Sequence, residues 1–198
     1  MKTVQRTFIP VALALAGSLF LELAGDIRGR EGFPWDAPLM NALHGYQSPL
    51  LDAAMKTVTE TAAAGAVLVF LALLFWLWWQ SAWREMGGAA LSFLGAVSSN
   101  TALKLFFSRP RPTVFVPLVV EHSYSFPSGH SVAAMSLYGF LAVTLWRRGY
   151  RAPAILAAGW PFLVALSRVY LGVHYPSDVL GGLAFGALWL LTGVFLSR

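Results

Sequence analysis

Charged side chains cut the chain into long uncharged blocks. Residues 8–21, 61–83, 86–103, 131–146, 152–167 and 179–197 contain no Asp, Glu, Lys or Arg. Blocks of 14 to 23 residues of this kind predict six transmembrane helices, because about 20 apolar residues are needed to cross the hydrocarbon core. Several are a little short, so their ends borrow flanking residues or are buried in the bundle. Glu22 interrupts the first apolar run before Gly25, and the second has VLVFLALLFWLWW at its heart. The third, GGAALSFLGAVSSNTALK, is too polar to face lipid on all sides. Its small residues let backbones approach closely, which places it at the bundle centre.

Lys2 and Arg6 precede the first apolar stretch, as in a secretory signal peptide, but Glu22 falls near the expected cleavage region and no A-x-A-like site follows. An uncleaved first helix is therefore expected. With six spans, both termini share one side. That side holds Lys2, Arg6, Arg84, Arg147, Arg148, Arg151 and Arg198 against one acid, Glu85, while the other side is balanced. The excess of positive charge places both termini in the cytoplasm. Between Asp26 and Glu60, Leu39, Leu43, Leu50, Leu51 and Met55 recur among polar residues. This reads as a short amphipathic helix on the outer membrane interface or, equally, as a packed cap over the bundle. His44, in the same stretch, is assigned no role.

Composition agrees with the block pattern. Hydrophobic residues make up 57% and charged residues 12% of 198, against about a quarter charged in soluble domains. The chain is read as one all-α, polytopic membrane domain, residues 1–198, with no room for a large separate domain. The absence of cysteine excludes a disulfide framework, a Cys-based zinc site and an Fe–S cluster. The net charge of +5 comes from cytoplasmic anchors and does not mark a nucleic-acid-binding patch.

Ionisable residues beside membrane helices are costly and are functional candidates. Here they gather in three places: Lys104-LFFSRP-Arg111-Pro112, Pro127-Ser128-Gly129-His130, and Ser167-Arg168-VYLGV-His174-YPS-Asp178. In an alternating bundle all three fall on the outer side. Lys104, Arg111 and Arg168 supply three positive charges, and arginine can hold a phosphate through two parallel N–H bonds. Ser128 and Gly129 lie just ahead of the fourth helix, whose first N–H groups favour anions. Pro176 suits the first turn of the sixth helix, so Asp178 can accept from Nδ1–H of His174 and leave Nε2 free as a nucleophile. Three adjacent cations disfavour a divalent metal. Arg28, Arg30, Lys56 and Arg109 are read as snorkelling anchors at helix ends.

In this order the three segments resemble the signature motifs of the type 2 phosphatidic acid phosphatase superfamily, KxxxxxxRP, PSGH and SRxxxxxHxxxD. All eleven fixed positions are present: Lys104, Arg111, Pro112, Pro127, Ser128, Gly129, His130, Ser167, Arg168, His174 and Asp178. The resemblance implies a metal-independent lipid phosphatase of the bacterial membrane branch, hydrolysing a phosphomonoester or pyrophosphate such as phosphatidylglycerophosphate, phosphatidic acid or undecaprenyl pyrophosphate. It implies that His174 attacks phosphorus, Asp178 orients it, and His130 protonates the leaving oxygen. Lys104, Arg111, Ser128, Gly129, Ser167 and Arg168 would bind the phosphoryl oxygens. The expected partners are a lipid phosphate and the surrounding membrane lipids; no cofactor, no metal, no nucleic acid and no obligatory protein partner is expected. The expected site is the outer face of the plasma membrane. The apolar stretch TVFVPLVVEHSYSF, residues 113–126, would roof it and suits a lipid tail, with Glu121 and His122 as candidate headgroup contacts. A non-enzymatic carrier or flippase could use the same cationic pocket, but binding alone needs no oriented histidine.

Overall fold

The computed structural model describes residues 2–197, with side chains from Ile9 onward. The anchors expected at Lys2, Arg6 and Arg198 therefore lie outside the described side chains. Eight helices follow in order: α1 (Lys2–Arg28), α2 (Asp36–His44), α3 (Pro49–Glu60), α4 (Ala64–Trp79), α5 (Trp83–Phe107), α6 (Gly129–Arg147), α7 (Arg151–Tyr170) and α8 (Pro176–Leu196). Each uncharged block of the sequence falls on one of the six longer helices, α1 and α4–α8.

Among the described residues, four helices are long and apolar enough to cross a membrane: Ile9–Arg28 within α1, and all of α5, α7 and α8. The pair α3 and α4, bent by 44° at a short break, would make a fifth if it counts as one span. Alone, α4 has 16 residues and is short for a bilayer. The bend at Thr61 is pinned from two sides. Tyr138 Oη donates to Thr61 O at 2.7 Å, and Trp160 Nε1 donates to Thr61 Oγ1 at 2.9 Å.

The remaining helix of the expected six, α6, fills the centre. It packs most extensively on α7 and α8 and also meets α5 and α4. Ser131, Ser136 and Thr144 are all buried along it. A helix wrapped by protein can carry small and polar residues at no cost in lipid contact, and α6 carries buried serines and a buried threonine along its length. This corrects the expectation that α5 would lie at the centre. The small residues of α5 form one face, Gly88, Ala89, Ser92 and Ala96, against α6 and α8, while Leu94, Val97 and Leu105 are exposed on the other.

The stretch expected as one amphipathic helix forms two. Pro49, which cannot continue a helix from before it, opens α3, and Ser48 caps it by accepting from Leu51 N at 3.4 Å. Both short helices pack on the bundle end. Met40 is fully buried against Ala165, Val169, Val179 and Leu183. Tyr170 Oη donates to Asp52 Oδ1 at 2.6 Å. At the opposite end, Arg148 pairs with Glu85 at 2.6 Å and Arg147 donates to Ser197 Oγ at 3.3 Å. The start of α5 thus meets the ends of α6 and α8, as an alternating bundle requires.

Helices α6 and α8 approach so closely that two glycines of α8 have no room for a side chain. A Cβ on Gly182 would lie 2.7 Å from Ser128 O, and one on Gly186 would lie 2.8 Å from Val132 O. Gly182→Ala is expected to destabilise the fold by about 1–3 kcal/mol, the usual cost of overpacking, and to lower the melting temperature in detergent. Gly159→Ala, on an open face of α7 with nothing within 4 Å, is expected to be neutral or slightly stabilising. Equal melting of the two variants would show that α6 and α8 are not in contact at this point.

Candidate active site

Helix α5 stops at Ser108, which adopts a left-handed conformation (φ 47°, ψ 32°). The following Arg-Pro-Arg-Pro cannot resume a helix, because each proline lacks an N–H and disfavours helical backbone before it. The two arginines diverge. Arg111 Nε donates to Ser123 O at 2.7 Å, and its Nη1 donates to Val173 O at 2.7 Å and lies 3.4 Å from His174 Nε2. Arg109 turns the other way. It reaches Asp178 Oδ1 at 2.5 Å, Ser177 Oγ at 2.8 Å and Asp36 Oδ2 at 3.1 Å. Arg109 is therefore not the membrane anchor expected from its position at a helix end. Two carboxylates draw its guanidinium into the protein, where its side chain is 13% exposed.

The turn after α7 carries His174 to the start of α8. Pro176 is the first residue of α8, a position where its missing N–H costs nothing. Asp178, in the same turn, reaches back to accept from Tyr175 N at 2.9 Å through Oδ2. The same oxygen accepts from Ser125 Oγ and lies 3.5 Å from His174 Nδ1, while Ser125 Oγ is 3.4 Å from that nitrogen. Nδ1 thus faces two oxygens, and Nε2 faces the Arg111 guanidinium. This network assigns the neutral imidazole with its proton on Nδ1, leaving the lone pair on Nε2. Burial pushes the His174 pKa from 6.5 down to about 4, against the pull of Asp178 and with help from Arg168 and Arg111.

The three clusters meet at this end of the bundle. Lys104 donates to Tyr124 O and lies in the electrostatic field of Arg111, Arg168, Glu121 and Asp178. His130, in the first turn of α6, lies in the field of Arg168, Glu121, His174 and Lys104. Arg168 is fully buried; it donates to Thr59 Oγ1 at 2.7 Å and pairs with Glu121. Glu121 also lies 3.7 Å from Arg111. Burial alone would raise its pKa, but Arg168, His130 and Arg111 outweigh that and hold the carboxyl below its ordinary value. Gly129 sits beside Asn100 and Lys104. The Ser128 N–H donates to Asp178 O at 3.1 Å, and Ser167 Oγ donates to Val164 O at 2.6 Å. These two serines are buried and bonded within the protein. Lys104, Arg109, Arg111, His122, Ser123 and Tyr124 line a cleft of about 400 Å³ that opens from the cluster. His44 stacks on Phe115 at 4.1 Å and takes a packing role.

Sequence reasoning missed three residues. Ser125 lies between two motifs and carries no signal of its own. Asp36 is 142 residues before Asp178 in sequence and reaches the site only because α2 folds over the bundle end. Arg109 was visible, but its place at a helix end read as that of a snorkelling anchor.

The Asp178-backed His174, His130 and the three cations Lys104, Arg111 and Arg168 thus share one end of a helical bundle. Comparison with known proteins gives the family. The PAP2 superfamily matches residues 85–196. Phosphatidylglycerophosphatase B of Bacillus subtilis is 34% identical over 188 residues, 90% of each chain. An undecaprenyl-diphosphatase of the same organism is 29% identical over 157 residues, 73% of this chain and 75% of the relative. The crystal structure of a transmembrane PAP2-type phosphatidylglycerolphosphate phosphatase from Bacillus subtilis superposes with a TM-score of 0.80 at 32% identity, covering 96% of each chain. The chain belongs to the PAP2 superfamily, whose named members here are phosphatases of membrane lipids. It is an integral membrane protein of that group.

The depressed pKa of His174 has a measurable consequence. An unfolded histidine takes up its proton near pH 6.5, whereas His174 in the fold does so only near pH 4. Neutral His174 is therefore fully compatible with the fold above about pH 6.5, and stability on its account falls progressively as pH drops toward 4. Nitrogen-15 NMR of histidine-labelled protein is expected to show His174 neutral down to about pH 4. A midpoint near 6.5 would mean that the ring is exposed to solvent.

Proposed function

We propose that this chain hydrolyses a phosphate or pyrophosphate from a membrane lipid through a phosphohistidine, without a metal, at the outer face of the plasma membrane. The observation that carries this reading is the meeting of Lys104, Arg111 and Arg168 with two histidines, one of them backed by Asp178, at one end of the bundle. The similarity to a phosphatidylglycerophosphatase and an undecaprenyl-diphosphatase supports lipid phosphates of those two kinds as substrates; phosphatidic acid, a lipid phosphomonoester, is a third candidate on its chemistry alone. In this reading α1, α4, α5, α6, α7 and α8 make six crossings, both termini lie in the cytoplasm, and α2 and α3 lie at the outer surface.

Catalysis is positioning and charge stabilisation. Lys104, Arg111, Arg168 and the N–H groups at the start of α6 hold the phosphoryl oxygens, with Ser128, Gly129 and Ser167 closing around them. Nε2 of His174 forms a bond to phosphorus as the bond to the lipid oxygen breaks. His130 gives its proton to that oxygen. Water then attacks phosphorus, His130 takes the water's proton, and the Nε2–phosphorus bond breaks to release inorganic phosphate. The planar, developing charge of the transferring group is matched by two arginines, which offer paired N–H groups, and by one lysine. The cleft beside His122, Ser123 and Tyr124 leads the headgroup in. Exposed Val116 and Val120 on the same loop suit the lipid tail.

Phosphate release from a panel of purified lipid phosphates in detergent tests the chemistry. Activity is expected to persist in excess EDTA and to be blocked by vanadate, which adopts the five-coordinate geometry of the transition state. Binding without turnover would favour a carrier, and loss of activity in EDTA restored by Mg²⁺ or Zn²⁺ would overturn the metal-free mechanism. His174→Ala is expected to abolish turnover with every substrate. His130→Ala, given p-nitrophenyl phosphate, is expected to accumulate an acid-labile phosphoryl group, because that leaving group needs no proton. The reverse pattern would exchange the two roles.

The chain contains no cysteine, so single cysteines report orientation directly. Tyr46→Cys, between α2 and α3, is expected to react with a membrane-impermeant maleimide on intact cells. Tyr150→Cys, between α6 and α7, is expected to react only after permeabilisation. The opposite pattern would place the site inside the cell.

A further inference from the structure

Asp178 is 0% exposed and carries the only carboxylate within reach of His174 Nδ1 among the contacts described. A carboxylate this deep keeps its charge only if it is paired and hydrogen-bonded. Its two oxygens are used differently. Oδ2 takes Ser125, Tyr175 N and the His174 side; Oδ1 takes Arg109. Arg109 thus supplies the counter-charge on the oxygen that His174 does not use. It also fixes the rotation of the carboxyl about its own axis, which decides whether Oδ2 points at Nδ1.

Arg109 is itself held. One arm of its fork lies on Asp178 and Ser177, the other on Asp36. Its guanidinium lies 4.3 Å from the centre of the Tyr175 ring and 5.8 Å from that of Phe33. Asp36 is buried at the start of α2 and does more than pair with Arg109. Its Oδ1 accepts from Ser177 N at 2.9 Å and its Oδ2 from Ser177 Oγ at 2.6 Å. The first turn of α8, which carries Asp178, is therefore clamped to α2 by one aspartate and to the end of α5 by one arginine. None of these contacts involves Lys104, Arg111 or Arg168, although Arg109 itself also borders the cleft beside Lys104 and Arg111.

We infer that Arg109 and Asp36 are positioning residues for the nucleophile: Asp36 orients Arg109, Arg109 holds Asp178, and Asp178 keeps His174 in the tautomer that presents Nε2. This inference rests on the proposed role of His174, and it extends the working site to α2, a helix outside all three motifs. Lysine cannot replace Arg109 fully, because a point charge cannot lie on Asp178 and Asp36 with the same geometry. The role is separate from that of Arg111, two residues on, which faces the other ring nitrogen.

The test compares Arg109→Gln, Asp36→Asn and the double variant with the parent protein in detergent. Each single variant is expected to lower kcat by about tenfold to a hundredfold, the scale of a small misplacement at a reacting group, with KM within about twofold. The double variant is expected to lose little more than Arg109→Gln alone, because the residues act in one chain. The second readout is the His174 tautomer by nitrogen-15 NMR, with His174 identified by the signal missing from His174→Gln. The parent is expected to hold the proton on Nδ1, and the variants are expected to show a mixture. Additive losses, a rise in KM with kcat unchanged, or an unaltered tautomer in both single variants would overturn the inference. Should Arg109→Gln fail to fold, Asp36→Asn carries the same two readouts. Absence of turnover in the parent would instead defeat the proposed function, and the tautomer would still decide whether Arg109 and Asp36 position the ring.

Discussion

A carboxylate sealed inside protein has to be surrounded by donors, and the donors of Asp178 come from separate parts of the chain. Arg109 arrives from the end of α5, Ser125 from the loop before α6, and His174 and Tyr175 N from the one turn between α7 and α8. Even its backbone carbonyl takes part, accepting from Ser128 N at the start of α6. Leaving such a group unpaired is strongly destabilising, on the order of 3–5 kcal/mol for a broken buried pair. The demand of one side chain for partners therefore helps to draw together the segments that carry Arg109, Ser125, His174 and Ser128. Closing this end of the bundle and assembling the proposed site are then the same event.

The cationic side of the pocket is organised by a different rule. Arg168 is buried completely, and its charge is met by Glu121 and by Thr59 from the cap. Arg111 spends its N–H groups on Ser123 O and Val173 O, which fix the loop and the turn on either side of it. The two arginines are thus held from behind by backbone and carboxylate. Pre-set donors need little reorganisation when an anion enters, which is the main source of electrostatic stabilisation in such sites.

How much of this was legible depends on what each residue type is constrained by. The uncharged blocks located the six long helices because lipid contact and burial both exclude charge. The motifs singled out Lys104, Arg111, His130, Arg168, His174 and Asp178, and the fold brings all six to one end of the bundle. Composition misled at α5 and α6. Small residues were read as marking the central helix, yet α5 uses them on one face only, while α6 is enclosed on all sides. Arg109 and Asp36 were not legible, because the bond between them exists only after α2 has folded over the bundle. Local sequence says that an arginine near a helix end is free to seek the interface; only the fold shows what was waiting for it.

The bend between α3 and α4 determines what the cap can touch. With α4 fixed in the bundle and Thr61 held by Tyr138 and Trp160, the direction and rotation of α3 are set at the break. That rotation brings Thr59 onto Arg168 and Asp52 onto Tyr170. Helical residues advance by about 100° each, so one residue added or removed between Thr61 and Ala63 would swing both side chains off their partners. The stretch Thr-Ala-Ala-Ala has little chemical character, yet its length is as constrained as any motif. What it conveys is a count of residues.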